Sequence, residues 1–256
     1  MHLRSSLSYL RMLFAALFLA ANVVPAAAER SFGASYVVSL YGLTIGKADF
    51  VGTIGAMQYR IDGHLSSAGV AEVFSRMQGE ISAHGRITGK RIRPTSFLLD
   101  YLYDDKRRRT RIAFADNQVS ETTLTPAPAG RRDSWIEVAD RHLVNVLDPI
   151  SATILLADSP KAVCERVLKL YDGELRANLV LSPVGTTDKG AAVCKVRFLP
   201  IAGYHRDNKS MIYARDRSRI TFTYSPLGNG AYGLAAASIG TQIGTFRLSL
   251  RRLDLR

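Results

Sequence analysis

Two cysteines are the residues whose type and spacing point most directly to chemistry. Cys164 and Cys194 lie 30 positions apart, and the sequence has no others. In an exported chain, which the N-terminus predicts below, this pair favours a structural disulfide that stabilises the fold by about 3–4 kcal/mol. A redox pair usually has Cys-x-x-Cys spacing, which is absent here, and two buried thiols are the other alternative. Each cysteine is at the head of a strand-like run, so a bridge would fasten sheet elements together.

A dense run of cations is the second feature with chemical potential. Five cations occur within six residues: Lys106, Arg107, Arg108, Arg109 and Arg111. In a strand, alternate members of this run would face opposite sides of the sheet. The run is either a solvated edge that discourages strand addition or a docking patch for anionic envelope components. Three more arginines, Arg215, Arg217 and Arg219, alternate on one predicted strand face and would extend such a patch.

The patterns of familiar catalytic and metal sites are missing. Gly228–Gly233 matches G-x-G-x-x-G, but a dinucleotide site needs a helix and then a parallel strand after the glycines, so we interpret it as a hairpin turn. The five histidines show no H-x-H or H-E-x-x-H spacing, and no G-x-S-x-G elbow occurs. We therefore expect no metal, no cofactor and no catalysis. An envelope hydrolase or glycan-modifying enzyme, with a site assembled from separate strands, is the alternative.

The first 28 residues have the organisation of a secretory signal peptide. Arg4 and Arg11 supply a positive region, residues 12–21 an apolar stretch too short to span a bilayer, and Ala26–Ala28 a small-residue cleavage pattern. We expect cleavage after Ala28 and a periplasmic mature protein; an uncleaved membrane anchor is the alternative. No later apolar run is long enough to span a membrane, so the mature chain is not expected to be transmembrane.

The charge balance then indicates the class of partner. The chain has 34 Lys and Arg against 22 Asp and Glu, a net charge of +12. Removal of residues 1–28 takes away two cations and no acidic residue, which leaves +10. In an exported protein, such a charge favours anionic lipid headgroups, lipopolysaccharide or acidic glycans, so we expect no nucleic-acid partner.

Most of the mature chain shows the alternation of apolar and polar residues that is typical of β-strands. Tyr36, Val38 and Leu40 share one face of the first strand, and about a dozen further runs follow with short links. This pattern predicts one continuous antiparallel sheet in a single domain over residues 29–256, with an internal boundary near residue 160 as the alternative.

Two segments have helical signals. The shorter is Gly69–Phe74. The stronger begins at Asp148-Pro149, where Asp148 can cap the N-terminus and Pro149 can take the first helical position, and ends before Ser159-Pro160. Its apolar stripe predicts a central helix against which the sheet curls.

Several local patterns together resemble the exported bacterial family known as domain of unknown function 3108. They are the first hairpin at Tyr36–Gly46, the start of the central helix at Asp148–Ala152, and the motifs around the two cysteines. The last group contains Tyr171, Asp172, Gly173, Arg176, Gly203 and Tyr204. In these motifs Tyr171-Asp172-Gly173 predicts a strand end with a tight turn, and we expect an exposed Asp172–Arg176 ion pair across it.

The resemblance implies a periplasmic, mostly antiparallel β protein without an assigned activity. Its expected shape is a half-barrel similar to those of lipoprotein-localisation carriers, whose concave face holds acyl chains around a helix. We therefore predict a non-catalytic cell-envelope protein that binds a lipid or another amphiphile, or that scaffolds envelope partners. A module that acts only through protein contacts is a third interpretation.

Overall fold

The protein is described here by a computed structural model that covers residues 30–74 and 76–256. The predicted signal peptide, residues 1–28, lies outside the described residues. The elements, in chain order, are β1 (Arg30–Leu40), β2 (Leu43–Ile54), β3 (Gln58–Ser67), α1 (Ala71–Phe74), β4 (Met77–Thr88), β5 (Arg91–Tyr103), β6 (Lys106–Ala115), β7 (Gln118–Thr125), β8 (Trp135–Ile136), β9 (Ile154–Leu156), α2 (Pro160–Cys164), β10 (Arg166–Tyr171), β11 (Arg176–Thr186), β12 (Ala192–Ala202), β13 (Tyr204–His205), α3 (Lys209–Asp216), β14 (Ile220–Gly228), β15 (Ala231–Thr241) and β16 (Gly244–Leu255).

One large antiparallel sheet contains fourteen of the strands. Its order is β10-β11-β12-β14-β15-β16-β1-β2-β3-β4-β5-β6-β7, with β9 attached to β15, and β8 pairs separately with β13. Two meanders, β1–β7 and β10–β16, are thus joined where β16 pairs with β1. The prediction of a mostly β protein with a curled, unclosed antiparallel sheet is confirmed, and the Gly228–Gly233 motif is the β14–β15 turn.

The two free edges of this sheet are linked by a segment that runs between them. The Leu143 carbonyl accepts a hydrogen bond from Val119 N at 3.1 Å, beside β7. Four residues later, the Leu147 carbonyl accepts one from Tyr171 N at 2.9 Å, and Leu147 N donates to the Lys169 carbonyl at 2.7 Å. The segment 143–147 therefore satisfies backbone groups on both edges and leads the chain into the interior of the curled sheet.

The residues that follow, 148–156, are called here the interior segment. They do not form the helix that the sequence predicts. Asp148 does accept hydrogen bonds from Ile150 N and Ser151 N, but only a single 3₁₀ turn follows, at Ser151–Thr153, and the chain then becomes extended in β9. Here Ile154–Leu156 pair with Gly233–Ala231 of β15. Pairing with β15 satisfies backbone N–H and C=O groups that a helix would have satisfied with hydrogen bonds inside the segment. The prediction of a central helix is therefore wrong.

The residues that were expected to end the helix begin another one. Ser159 caps α2, with its hydroxyl accepting a hydrogen bond from Ala162 N at 3.3 Å, and Pro160 takes the first turn. Cys164 consequently closes α2 instead of starting a strand. The predicted short helix is present as α1, whereas α3, capped by Asn208 on Ser210 N and Met211 N, was not predicted.

The interior segment separates two hydrophobic clusters. One contains Leu168, Leu181, Val196 and Tyr224 with the disulfide, and the other contains Tyr59, Ile61, Phe97 and Ile112. Ala152 and Leu155 pack in the first cluster, while their neighbours Ile150 and Ile154 pack in the second. The side chains of this segment therefore pack on both sides, some into one cluster and some into the other.

Candidate functional site

The interior turn is held by a buried carboxylate. Asp148 is fully buried, and its Oδ1 accepts hydrogen bonds from Ser151 N at 2.8 Å and Ile150 N at 3.0 Å. Its Oδ2 accepts a hydrogen bond from the Ser151 hydroxyl, which lies 2.5 Å from the Tyr59 hydroxyl. Burial raises the pKa of Asp148 to about 6, although its hydrogen bonds to Ser151 and Ile150 act in the opposite direction.

The turn positions one wall of an apolar cavity, called here the inner cavity. It has a volume of about 230 Å³ and lies between the inner faces of β1–β3 and β14–β16. The sheet contributes Phe32, Ala34, Tyr36, Val38, Ala48, Phe50, Ile61, Leu65, Ser225, Leu227, Gly233, Leu234, Leu248, Leu250 and Leu253, and the interior segment contributes Ile150, Thr153 and Ile154. An engineered cavity of about 150 Å³ with comparable walls stays dry and binds benzene, so this space suits hydrocarbon.

Two of the hydroxyl groups in this wall are already bonded within the protein. The Tyr36 hydroxyl donates to the Leu234 carbonyl at 2.7 Å, and the Thr153 hydroxyl donates to the Ile150 carbonyl at 2.7 Å. Burial raises the pKa of Tyr36 to about 12, so the phenol is neutral at ordinary pH. Among the described residues, the lining of the inner cavity includes no carboxylate, imidazole or thiol. Its walls therefore offer a ligand mainly apolar contact.

A second concavity, the hairpin groove, lies beside the turn between β5 and β6. It has a volume of about 830 Å³, and its lining includes Tyr101, Arg108, Trp135, Asp172 and Tyr204. The Arg131 guanidinium stacks 4.4 Å from the centre of the Trp135 ring. The groove brings Arg108 and Arg109 of the predicted cationic run together with three residues of the predicted motif, Asp172, Gly203 and Tyr204.

The hydrogen bonds of the motif residues are largely structural. Asp172 Oδ1 accepts from Leu175 N at 2.8 Å and from Glu174 N at 3.0 Å, so it forms the turn that follows Tyr171. The Tyr171 hydroxyl donates to the Gly173 carbonyl at 2.7 Å. Gly203 has a φ of +82°, and a Cβ at this position would lie 1.8 Å from the Glu174 carbonyl oxygen, so only glycine fits here.

Arg176 differs from the prediction. Its guanidinium is buried, and Nε donates to the His142 carbonyl at 2.8 Å while Nη1 donates to the Ala177 carbonyl. The predicted exposed pair with Asp172 is wrong, because the guanidinium is buried and donates to these two carbonyls instead. Burial lowers the pKa of Arg176, and the guanidinium joins the turn Asp140–His142 to β11.

The cationic residues fall into two groups. Arg107 and Arg109 both donate to Asp100, with Nε distances of 2.8 Å, and these hydrogen bonds lower the pKa of Asp100 to about 2. Lys106, Arg108 and Arg111 continue the exposed surface of β6. Arg215, by contrast, lies in α3, and Arg217 and Arg219 follow it before β14 begins. The predicted extension of the patch along one strand face is therefore wrong.

The cysteines form the predicted link. The sulfur atoms of Cys164 and Cys194 are 2.00 Å apart, and both residues are fully buried in the first core cluster. The bridge joins the last residue of α2 to β12, and thus fastens the helix that follows β9 to the sheet.

Sequence reasoning missed the inner cavity, although it placed Tyr36 and Val38 on one face. Alternation along β1 and β2 signals which side chains point inward, but it carries no signal of the empty volume between them. The Tyr59–Ser151 contact was missed as well, because it joins residues 92 positions apart.

The described part of the chain, residues 30–74 and 76–256, has no group of three or more His, Cys, Asp or Glu residues placed to hold a metal ion. None of the helices within this part has the length and apolar character needed to cross a bilayer.

Comparisons with known proteins define the relationship of this chain to others. A solved beta-barrel-like protein of the domain of unknown function DUF1849, from Brucella abortus, is 12% identical, with a TM-score of 0.50 over 90% of this chain and 99% of that one. This likeness concerns the fold alone. No curated protein matches the sequence significantly. The model of the family described as "Protein of unknown function (DUF3108)" matches residues 35–251, and the chain therefore belongs to the DUF3108 family.

Proposed function

We propose that this chain is an exported, non-catalytic protein of the cell envelope that binds the hydrocarbon part of an amphiphile in the inner cavity. The observation that carries the proposal is the apolar lining of that cavity, with the Tyr36 and Thr153 hydroxyls already bonded inside the protein. Apolar cavities with few free polar groups favour the burial of hydrocarbon over water.

The volume limits the size of the ligand. A cavity of about 230 Å³ holds part of one hydrocarbon chain, which favours a single-chain amphiphile over a lipid whose several chains must all be enclosed. The sequence-based expectation of export supports a ligand from the envelope. Cell fractionation and N-terminal sequencing test that part of the proposal, with Glu29 expected as the first residue of the mature protein.

The main test fills the cavity. Ala48 is buried in its wall on β2, so Ala48→Phe should occupy the space and weaken binding of the uncharged fluorophore N-phenyl-1-naphthylamine about tenfold or more, equivalent to about 1.4 kcal/mol. Fluorescence titration of the purified protein measures the affinity, and native mass spectrometry before and after lipid extraction identifies amphiphiles that co-purify.

The matched control is Val51→Phe. Val51 lies on the same strand but is 63% exposed on its outer face, so the added ring should leave probe binding unchanged. Circular dichroism establishes that both variants are folded. Equal binding by Ala48→Phe and the wild type, or no binding by the wild type, would refute the proposal and favour the scaffold interpretation.

The hydrolase alternative has one observation in its favour. The hairpin groove contains Asp172, Glu174 and His205, the residue types that acid–base chemistry requires. However, Asp172 is engaged by two backbone amides, and His205 Nδ1 lies 3.0 Å from the Ser134 hydroxyl. Hydrolysis of an ester or glycan substrate that Glu174→Gln abolishes would replace our proposal with this alternative.

A further inference from the structure

The inner cavity adjoins a second, largely apolar cavity at one end of the curled sheet, called here the rim cavity. The two share the side chains of Phe32 and Leu227. The rim cavity has a volume of about 580 Å³ and lies among the start of β1, the end of β16 and the turns that follow β2, β4 and β14. The two cavities together are called here the passage, in which a hydrocarbon chain in the inner cavity extends towards the rim past Phe32 and Leu227.

One charged side chain lines the rim cavity within the described residues. This residue is Arg30, and the other lining residues are apolar or glycine except for Asn229. The guanidinium is positioned by its Nη1, which donates to the Leu227 carbonyl at 3.0 Å. The same Leu227 contributes its side chain to both cavities, so the cation is fixed at the outer end of the apolar passage.

The turn between β14 and β15 leaves space for the Arg30 guanidinium. Gly228 has a φ of +94°, and a Cβ at this position would lie 2.1 Å from Arg30 Nη1. Any side chain at position 228 would therefore displace the guanidinium from Leu227. The nearby Lys90 is paired with Asp158, and no carboxylate of the described residues lies within 4.0 Å of Arg30.

We propose that the passage is specific for a single-chain amphiphile with an anionic headgroup, which Arg30 binds at the rim. This inference rests on the proposed function. A guanidinium has five N–H donors and pairs bidentately with a carboxylate or phosphate, and Leu227 uses only one of them. The net charge of +10 expected after removal of residues 1–28 further favours the approach of an anion.

The experiment compares ligands that share a chain and differ in the headgroup. Dodecanoate, dodecyl phosphate and dodecan-1-ol, below their aggregation concentrations, displace N-phenyl-1-naphthylamine from the wild type. We expect the two anions to bind about tenfold more tightly than the alcohol, with a preference that decreases as ionic strength rises. A preference for only one anion identifies the headgroup source, carboxylate or phosphate, and also supports the inference.

Variants assign the preference to the rim. Arg30→Gln should bind the anions and the alcohol equally. Arg30→Lys should keep part of the preference for anions, because it retains the positive charge but lacks the paired N–H donors of the guanidinium. Arg86→Gln is the control, since Arg86 makes the same charge change from the outer face of β4 near the same end of the sheet.

Two failures can be told apart. If the alcohol and the anions bind the wild type equally, or if Arg30→Gln keeps the preference, the headgroup inference is wrong while the amphiphile function stands. If none of the three ligands displaces the probe, both proposals fail. Should Arg30→Gln not fold, the headgroup comparison and its salt dependence on the wild type still decide the question.

Discussion

Replacement of both cysteines by alanine, Cys164→Ala with Cys194→Ala, is expected to lower the free energy of unfolding by about 4 kcal/mol. The bridge closes a loop across 30 sequence positions, so its loss enlarges the unfolded ensemble. Both sulfur atoms are also buried in the first core cluster, and their removal leaves unfilled volume there. Denaturant titration followed by circular dichroism measures the difference.

A reduced wild type separates these two contributions. Protein that is unfolded in denaturant, reduced with dithiothreitol and then refolded keeps its sulfur atoms but lacks the link. Its free energy of unfolding should therefore lie between those of the oxidised protein and the double variant. Identical unfolding midpoints for the oxidised and reduced wild type would show that the link does not stabilise the fold.

The second large effect is a pH dependence that originates at Asp148. Its pKa is about 6 in the folded protein, above the ordinary value of about 3.9, so folding favours the protonated carboxyl. The stability it contributes is fully present below about pH 4 and is lost as the pH rises through 6. A shift of this size corresponds to about 3 kcal/mol.

The prediction concerns the difference between the wild type and Asp148→Asn, which cannot titrate. The unfolding free energy of the wild type relative to this variant should decrease by about 2 kcal/mol between pH 4 and pH 7, less than the full shift because the unfolded carboxyl is already partly ionised at pH 4. Subtraction removes the opposite trend of carboxylates such as Asp100, whose hydrogen bonds to Arg107 and Arg109 lower its pKa.

Asp172→Asn provides the control for this series. Asp172 also accepts hydrogen bonds from two backbone amides, but it is only half-buried at the groove. The difference between the wild type and Asp172→Asn is measured over the same pH range, as the comparison for the loss of a carboxylate with the same amide contacts outside the core. A flat difference between the wild type and Asp148→Asn from pH 4 to pH 7 would show that burial does not favour the protonated carboxyl.

The strands could be predicted because their information is local. Alternation along runs such as Tyr36–Leu40 identifies an inward face, and a glycine-rich turn such as Gly228–Gly230 identifies where two strands meet. These signals were enough for one continuous antiparallel sheet, whereas the open half-barrel shape was expected from the family resemblance. The cysteine pair could also be matched, because the chain offers only one pairing.

The interior segment could not be predicted in the same way. Asp148-Pro149 and Ser159-Pro160 carry nearly the same helix-start signal, yet only the second begins a helix. What differs is the partner of the residues that follow, since Ile154 pairs with Gly233 of β15. A pairing across some eighty positions overrides a local preference and leaves no trace in the segment itself.

The inner cavity depends on the sizes of side chains that face one another from distant parts of the sequence. Ala34, Ala48 and Gly233 are small residues at wall positions where larger ones would fill the space. Each is ordinary in its own strand, and only their assembly against Ile150 and Ile154 leaves a void. Arg30 likewise acquires its role from the Leu227 carbonyl, nearly two hundred residues away.

The pairing of β1 with β16 has a consequence for how the molecule assembles. Phe32 is opposite Leu255 and Leu40 is opposite Phe246, so β1 cannot complete its pairing until β16, some two hundred residues later, has been made. Contacts of such long separation form slowly, and until then one flank of β1 remains an open template for other chains. Leu248, Leu250 and Leu253 of β16 also complete the wall of the inner cavity, so the cavity is enclosed only after the β15–β16 hairpin has paired with β1.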